Sequence, residues 1–406
     1  MLQSRHRVAR PRIIVKIKYL SYNLREERVS LILDFVASTR KQARNTVDMI
    51  LDKVSFRDTP SRGTGMIDLY SDTKSRPTAA MRKAIAEAVV GDEQQNEDPT
   101  VLRLLERVAA LLGKEAAVFL PSGTMANEIA VLLHCRPGDE IIAHRDAHIF
   151  NFEGGAVAAL AGAMIRPLDG TAGMFDVESL AKAIRPRARL TPKSRLVSIE
   201  QTTNLGGGAV WPLARIEDVV GLARQHGLAA HLDGARLMNA VAASGIGAER
   251  YAAAFDTVFL DFTKGLGAPF GAVLAGSADL VAEAWEWKQR LGGSMRQAGM
   301  MAAGCLHALD HHVGRLAQDH ANAHLLASLL SEVGSLSVEP VETNMVYVNI
   351  GATGIAAAEF SRRMLERGVR PSVLSPTRLR LVTYLDIGPD EIRKAAAVLC
   401  DIASGP

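Results

Sequence analysis

From Ile67 onward the chain alternates two kinds of segment. Apolar positions recur at helical spacing over 79–90, 101–112 and 124–134. These stretches give way to short, mostly apolar runs at Ala116 to Leu120, Glu140 to Ala143, Leu196 to Ile199, Leu228 to Leu232, Thr257 to Asp261 and Gly271 to Ala275. Apolar runs of about four to six residues with helices between them predict buried parallel strands of an α/β sheet. Ala-rich stretches over 278–290 and 298–332 predict long helices. Beyond Val333 the rhythm changes to a strand (Asn344 to Ile350), a helix (355–367), a strand (379–383) and a helix (389–402). The expected architecture is therefore α/β: a large domain over 66–332 with a mostly parallel sheet, then a small α+β domain over 333–406. No internal repeat is visible.

Composition narrows the class. The 406 residues suffice for two or three domains, and 48% hydrophobic with 22% charged residues is a globular balance that excludes disordered and fibrous classes. No apolar run of about 18 residues occurs, so no membrane-spanning helix is expected. Three widely spaced cysteines, Cys135, Cys305 and Cys400, exclude a disulfide scaffold and a cysteine-based zinc site, and point to a reducing, cytoplasmic setting.

Charge is unevenly spread. Residues 1–66 hold 14 Lys/Arg against 6 Asp/Glu, while the rest hold 33 against 38. The mildly acidic body gives no reason to expect nucleic acid. The first 25 residues carry seven basic side chains and no acidic one, without the apolar stretch of a signal peptide. Residues 1–65 read as a basic extension: a disordered tail or helical hairpin, a start-site artefact with Met66 as the true start, or an arm for an anionic surface. No chemistry is legible in it.

Three segments of the body carry chemistry. At Leu120-Pro121-Ser122-Gly123-Thr124 a strand ends, a glycine turn follows and a helix begins. Free amides at a helix start, beside Ser and Thr hydroxyls, form an anion cradle suited to phosphate, although Ser-Gly-Thr before a helix is also an ordinary N-cap. At His231-Leu232-Asp233-Gly234-Ala235-Arg236, Asp233 falls at the carboxyl end of a buried strand, where ligands of α/β sheets bind. A carboxylate there requires a cationic partner: a pyridinium N–H would serve, and so would an arginine of the motif itself. At Asp261-Phe262-Thr263-Lys264-Gly265-Leu266-Gly267, a lysine ends an apolar strand before a glycine-rich turn that admits a ligand. Such a lysine is either a desolvated Schiff-base nucleophile or a snorkelling surface residue. Together, a phosphate cradle, a strand-end Asp and a strand-end Lys are what pyridoxal 5'-phosphate needs.

Residues 67 to about 400 resemble the low-specificity L-threonine aldolases, of the β-eliminating lyase group and the aspartate-aminotransferase-like fold (fold type I of the pyridoxal phosphate enzymes). The resemblance is carried by Asp68-Leu69-Tyr70-Ser71-Asp72-Thr73, Glu97-Asp98-Pro99-Thr100, Pro121-Ser122-Gly123-Thr124, Ala147-His148, Glu153-Gly154-Gly155, His231-Leu232-Asp233-Gly234-Ala235-Arg236, Lys264-Gly265-Leu266-Gly267, Gly292-Gly293-Ser294-Met295-Arg296-Gln297 and Arg380-Leu381-Val382-Thr383. It implies Lys264 as the Schiff-base lysine, flanked by Thr263, with Asp233 as the pyridinium partner and Gly123 and Thr124 on the phosphate. It further implies His148 stacked on the ring near the substrate hydroxyl, Arg236 and Arg380 on the substrate carboxylate, and Ser71 as a substrate contact. Arg296 becomes a phosphate ligand reached across a subunit interface, which implies a homo-oligomer, dimer or tetramer.

The implied reaction is retro-aldol cleavage of a β-hydroxy-α-amino acid to glycine and an aldehyde, with His148 or a water it positions as base. The alternatives are another reaction of the same cofactor (β-elimination, racemisation or transamination) and a non-catalytic binding protein on the same fold. The chain departs from the family on the substrate side: Tyr70 stands where arginine is usual, and Gln94-Gln95-Asn96 lacks an active-site tyrosine. Thr203 replaces a histidine, Leu190 falls at a second histidine position, and Tyr384 follows Val-Thr where histidine often does. Five histidines over 307–324 (His307, His311, His312, His320, His324) include i,i+4 pairs, a spacing compatible with metal but more readily a solvated or interface helix face, so no metal is expected.

Overall fold

The computed structural model describes residues 65–405, so the readings of the basic extension lie outside the described residues. Thirteen strands are present among these residues. They are β1 (Ile67–Asp68), β2 (Ala116–Leu120), β3 (Asp139–His144), β4 (Met164–Leu168), β5 (Lys193–Glu200), β6 (Ala229–Gly234), β7 (Thr257–Asp261), β8 (Ala272–Gly276), β9 (Ser337–Val338), β10 (Met345–Asn349), β11 (Val369–Arg370), β12 (Ser372–Ser375) and β13 (Arg378–Val382).

Seven of them form the large sheet, in the order β2-β8-β7-β6-β5-β3-β4. The run from β7 to β4 is parallel, and β8 is antiparallel to both β7 and β2. All six expected runs are strands, but the one at 271–275 runs opposite to the others. Only a short turn separates β7 from β8, too little chain for a parallel crossover. The strands are apolar throughout because both faces are covered. Val258 and Leu260 of β7 join the core under the helices Pro99–Leu112, Leu213–Gln225 and Gly299–His311, while Phe259 points the other way, against Gly123–His134 and Ala278–Arg290. Strand β4 escapes a reading from apolar runs: it is an edge strand, only partly buried, and carries Arg166 and Pro167.

The second sheet, β12-β13-β10-β9, is antiparallel and lies under helices Leu316–Ser331, Ala357–Glu366 and Pro389–Ser404. Its core also takes Ile67 and Leu69 from the start of the described chain, where β1 pairs in parallel with β11. The helical stretch expected over 298–332 is two helices, Gly299–His311 and Leu316–Ser331. At the break His312 turns inward and bonds the Leu266 carbonyl through Nδ1 at 2.7 Å, fixing the glycine turn that follows Lys264.

One motif proves to be architectural. Asp98 caps its helix by accepting from the amides of Thr100 and Val101, and its other oxygen accepts from Gly91 and Gly299. Four amides on one buried carboxylate tie three segments together, so Glu97-Asp98-Pro99-Thr100 is accounted for without a ligand. Because β2, β3, β5, β6 and β7 point the same way, their carboxyl ends line one edge of the sheet, and the chemistry gathers there.

Candidate active site

Asp233, the next-to-last residue of β6, is 2% exposed. Oδ1 accepts from the Ala235 amide at 3.1 Å and Oδ2 from Asn127 Nδ2 at 2.8 Å, which leaves lone pairs for a cation. At the end of the next strand, Asp261 accepts from both the amide and the hydroxyl of Thr263, at 2.9 and 2.8 Å, and pairs with the Lys264 amine. Lys264 is thus part-buried with an anionic partner, and Thr263 serves to orient that partner.

The helix Gly123–His134 starts beside these two strand ends. Ser122 is the N-cap, its hydroxyl accepting from the Met125 amide, so the amides of Gly123 and Thr124 have no acceptor within the helix. A Cβ at Gly123 would meet the Phe259 ring at 3.1 Å and Asp261 Oδ2 at 3.6 Å. Glycine there lets the helix start press against the end of β7.

His148 opens a short helical turn, Nδ1 2.7 Å from Glu153 Oε1 and its amide donating to Glu200. Burial alone would lower the imidazole pKa; the hydrogen bond to Glu153 and the nearby carboxylates of Asp233, Glu153 and Glu200 raise it above the ordinary value. Its ring also packs obliquely on Phe152 at 5.5 Å. Glu200 ends β5, and burial together with the Asp233 charge pushes its carboxyl well above the usual range.

The two arginines are held differently. Arg236 donates through Nε and Nη2 to both oxygens of Asp72, at 2.7 and 2.8 Å. The Nε/Nη2 edge is committed to Asp72, which leaves the Nη1/Nη2 end, with one N–H on Nη2 and two on Nη1, for a ligand. Arg380 donates to Asn204 Oδ1 at 2.9 Å and to the Tyr70 carbonyl at 3.2 Å, and its buried Nε has no partner. Tyr347, opposite Arg380 across β10 and β13, donates to the Asn204 carbonyl at 2.5 Å, so Asn204 is gripped from both sides.

Ser71 is buried, and its hydroxyl caps a short turn by accepting from the Thr73 amide and hydroxyl; the structure gives it a local role. Arg296 is the outlying member: 59% of its side chain is exposed, and its guanidinium pairs with Asp92 at 2.8 Å. Leu190, at the position expected for the family's second histidine, is 93% exposed in the loop before β5. Tyr384 is buried and donates to the Asp68 carbonyl, so it does not stand in for a substrate-side histidine. The rings of His307 and His311 lie 4.4 Å apart; among the described residues no group of three or more His, Cys, Asp or Glu is arranged to hold a metal ion.

Residue-by-residue reading of the sequence missed Asp72, Asn127, Glu153, Glu200 and Asp261 as functional groups. All five are buried polar residues; Asp72, Asn127, Glu153 and Glu200 take partners from other elements, while Asp261 takes Thr263 and Lys264 from the turn that follows it. The only signal was their position inside the quoted motifs or beside a strand end.

The residues present fit pyridoxal 5'-phosphate. The helix start with two free amides, the buried carboxylate with free lone pairs, and the lysine three residues past the end of the adjacent strand match the phosphate, ring nitrogen and aldehyde of that one molecule.

Comparison with known proteins agrees. The family model described as "Beta-eliminating lyase" matches residues 68–353. The low specificity L-threonine aldolase of Escherichia coli (strain K12) is 39% identical, covering 82% of this chain and 98% of that protein. That of Saccharomyces cerevisiae is 35% identical over 78% of this chain and 82% of its own. A solved threonine aldolase of Leishmania major superposes with a TM-score of 0.72 at 22% identity, covering 82% of this chain and 98% of its own, and so shares the fold. By the extent of the match and the level of identity, this chain belongs to the β-eliminating lyase family and, within it, to the low-specificity L-threonine aldolases.

Proposed function

We propose that the chain is a pyridoxal phosphate-dependent aldolase that cleaves L-threonine- and L-allo-threonine-like β-hydroxy-α-amino acids to glycine and an aldehyde. The observation that carries this reading is the pairing of His148 with Glu153 at the same sheet edge as Lys264 and Asp233. A base whose outer nitrogen is free, beside a cofactor cradle, is what removal of a β-hydroxyl proton requires.

Lys264 would hold the cofactor covalently, Gly123 and Thr124 its phosphate, and Asp233 its ring nitrogen. When bound, pyridoxal phosphate supplies a conjugated cationic ring that takes up the electron pair released at Cα. The chain's residues do the rest. Arg380 offers donors to the substrate carboxylate and fixes the Cα–Cβ bond for cleavage, while the Nη1/Nη2 end of Arg236 provides further donors. His148 Nε2 accepts the hydroxyl proton as the Cα–Cβ bond breaks and the aldehyde C=O forms. A proton returned to Cα completes glycine. Tethering and orientation contribute several kcal/mol, on the order of 7 to 11 at best.

Exposure of Arg296 supports a role outside its own site, on the cofactor phosphate of a neighbouring copy in a dimer or tetramer. Among the described residues no helix is long and apolar enough to cross a membrane, in keeping with work in the cytoplasm.

The test is a substrate panel of threonine, allo-threonine and phenylserine with the full chain, glycine and aldehyde being quantified. Equimolar glycine and aldehyde are expected, and none from Lys264→Ala. Ammonia with 2-oxobutyrate from threonine or allo-threonine, or with phenylpyruvate from phenylserine, would instead make the chain a β-eliminating enzyme, and a Lys264→Ala variant with wild-type turnover would remove the mechanism.

A further inference from the structure

Behind the site runs a hydrogen-bonded chain that the mechanism above does not use. His134 Nε2 lies 3.0 Å from Thr257 Oγ1, and Thr257 Oγ1 is 2.9 Å from His231 Nδ1. His231 Nε2 is 3.0 Å from Asn127 Oδ1. The Asn127 amide nitrogen then reaches two carboxylates at once, Asp233 Oδ2 at 2.8 Å and Glu153 Oε1 at 2.7 Å. Glu153 Oε1 also receives His148 Nδ1 at 2.7 Å.

The proton positions follow from the donor inventory. Two acidic oxygens on one amide group require the NH2 end, because the reverse flip would set three acceptors against one another. Asn127 Oδ1 must therefore face His231, and His231 must carry its proton on Nε2. Burial holds the His231 imidazole down, to about 3, so it is neutral and its Nδ1 accepts from the Thr257 hydroxyl. That hydroxyl oxygen in turn accepts from His134 Nε2–H, in a ring that burial keeps neutral, down to about 4. Every donor along the chain points toward the two carboxylates.

We propose that Asn127 is a positioning residue that clamps Asp233 and Glu153 with one amide, so that the partner of the cofactor's ring nitrogen and the tautomer of His148 are fixed by the same group, with His231 as the donor that sets which way the amide faces. The two NH protons go to different carboxylates. This keeps both acids in place without a second cation and leaves Glu153 Oε1 to accept His148 Nδ1–H. His148 Nε2 is thereby left as the bare lone pair on the substrate side. Nothing in Asn127 touches substrate or reacting atoms; it acts through Asp233 and Glu153.

The cofactor half of this inference rests on the aldolase reading; the tautomer half does not. The experiment uses the full chain, with histidine labelled in both ring nitrogens, in wild-type form and as Asn127→Asp and Asn127→Ser. Nitrogen NMR of the protein stripped of cofactor reads the His148 tautomer, and absorbance titration with pyridoxal phosphate reads affinity. Asn127→Asp keeps the acceptor for His231 and replaces the donor by a third acid. Expected is loss of the single Nδ1–H tautomer of His148 and at least about a tenfold weaker cofactor affinity, the size of one lost charge-assisted hydrogen bond. Asn127→Ser is expected to move both signals the same way. Should neither variant be stable enough to purify, His231→Phe, which removes the orienting donor together with the acceptor of the Thr257 hydroxyl, is read by the same two signals and is expected to shift both by less. Unchanged tautomer and unchanged affinity in the purified variants would overturn the clamp while leaving the aldolase reading standing. A wild-type chain that takes up no pyridoxal phosphate would overturn the aldolase reading, and the tautomer signal would still decide the clamp.

Discussion

Asp72 and Arg236 lie 164 residues apart and meet as a two-bond fork, with Asp72 fully buried and Asn344 adding a third donor to its Oδ2 at 3.1 Å. This pair joins the first described segment of the chain to the end of β6. It also decides what Arg236 can offer a ligand, since the Nε side is taken and the Nη1/Nη2 end is left uncommitted.

Asp72→Asn is therefore expected to destabilise the fold by about 3 kcal/mol or more, because it leaves a buried guanidinium without its anion. Burial alone would raise the Asp72 carboxyl; Arg236 outweighs burial and holds it down to about 2. A carboxyl depressed on folding contributes stability that is present above the unfolded value and lost as pH falls through the folded one. The gap between wild type and variant should narrow between about pH 4 and pH 2, by roughly 2 kcal/mol. Urea unfolding at a series of pH values reads this directly, and a gap of constant size would contradict it.

The pH profile of cleavage should report His148. Its pKa is raised, so the neutral form needed to accept the hydroxyl proton is lost as pH falls through a value above the ordinary imidazole one. Glu153→Gln keeps an oxygen for Nδ1–H and removes the charge. The acid limb of kcat/KM is expected to move to lower pH in that variant, with kcat on the plateau falling by about tenfold to a hundredfold as the imidazole becomes a weaker base. An acid limb that stays in place would take the base role away from His148.

A second buried ion pair lies away from the chemistry. Lys288, fully buried, donates to Glu93 Oε1 at 2.5 Å, and Glu93 Oε2 accepts from the Met295 amide at 3.0 Å. This holds the loop that carries Arg296. Burial pushes the Lys288 amine down while Glu93 opposes it. Glu93→Gln should cost about 3 to 5 kcal/mol, and Glu93→Leu combined with Lys288→Met should recover most of that loss. Thermal unfolding of the single and double variants decides, since equal losses in both would mean that the pair contributes through packing alone.

Gly234 sits between Asp233 and the next helix, and a Cβ there would lie 2.0 Å from the Phe259 carbonyl oxygen. Strands β6 and β7 would have to part, taking Asp233 away from Lys264. Gly234→Ala is expected to lose both soluble yield and the absorbance of bound cofactor, whereas Gly221→Ala, on an open helix surface with nothing within 4 Å, should keep both.

Much of this molecule is written locally. Apolar runs on both sides of each strand required a sheet covered on two faces, and a glycine turn after a strand required a helix start with free amides. Asp233 and Lys264 could be placed at strand ends before any coordinates, because burial and turn chemistry act over a few residues. Tertiary structure decided what each of them faces. Asn127 meets Asp233 across 106 residues and Glu93 meets Lys288 across 195. A single buried polar side chain leaves no periodic trace, and its partner is fixed only when the strands and helices have packed. The reversed direction of β8, the edge strand β4 and the break at 312–315 were likewise settled by packing. The same apolar run satisfies a strand in either direction, an edge strand has one side free of that demand, and a helix breaks where a side chain finds a better partner inside than along its own axis.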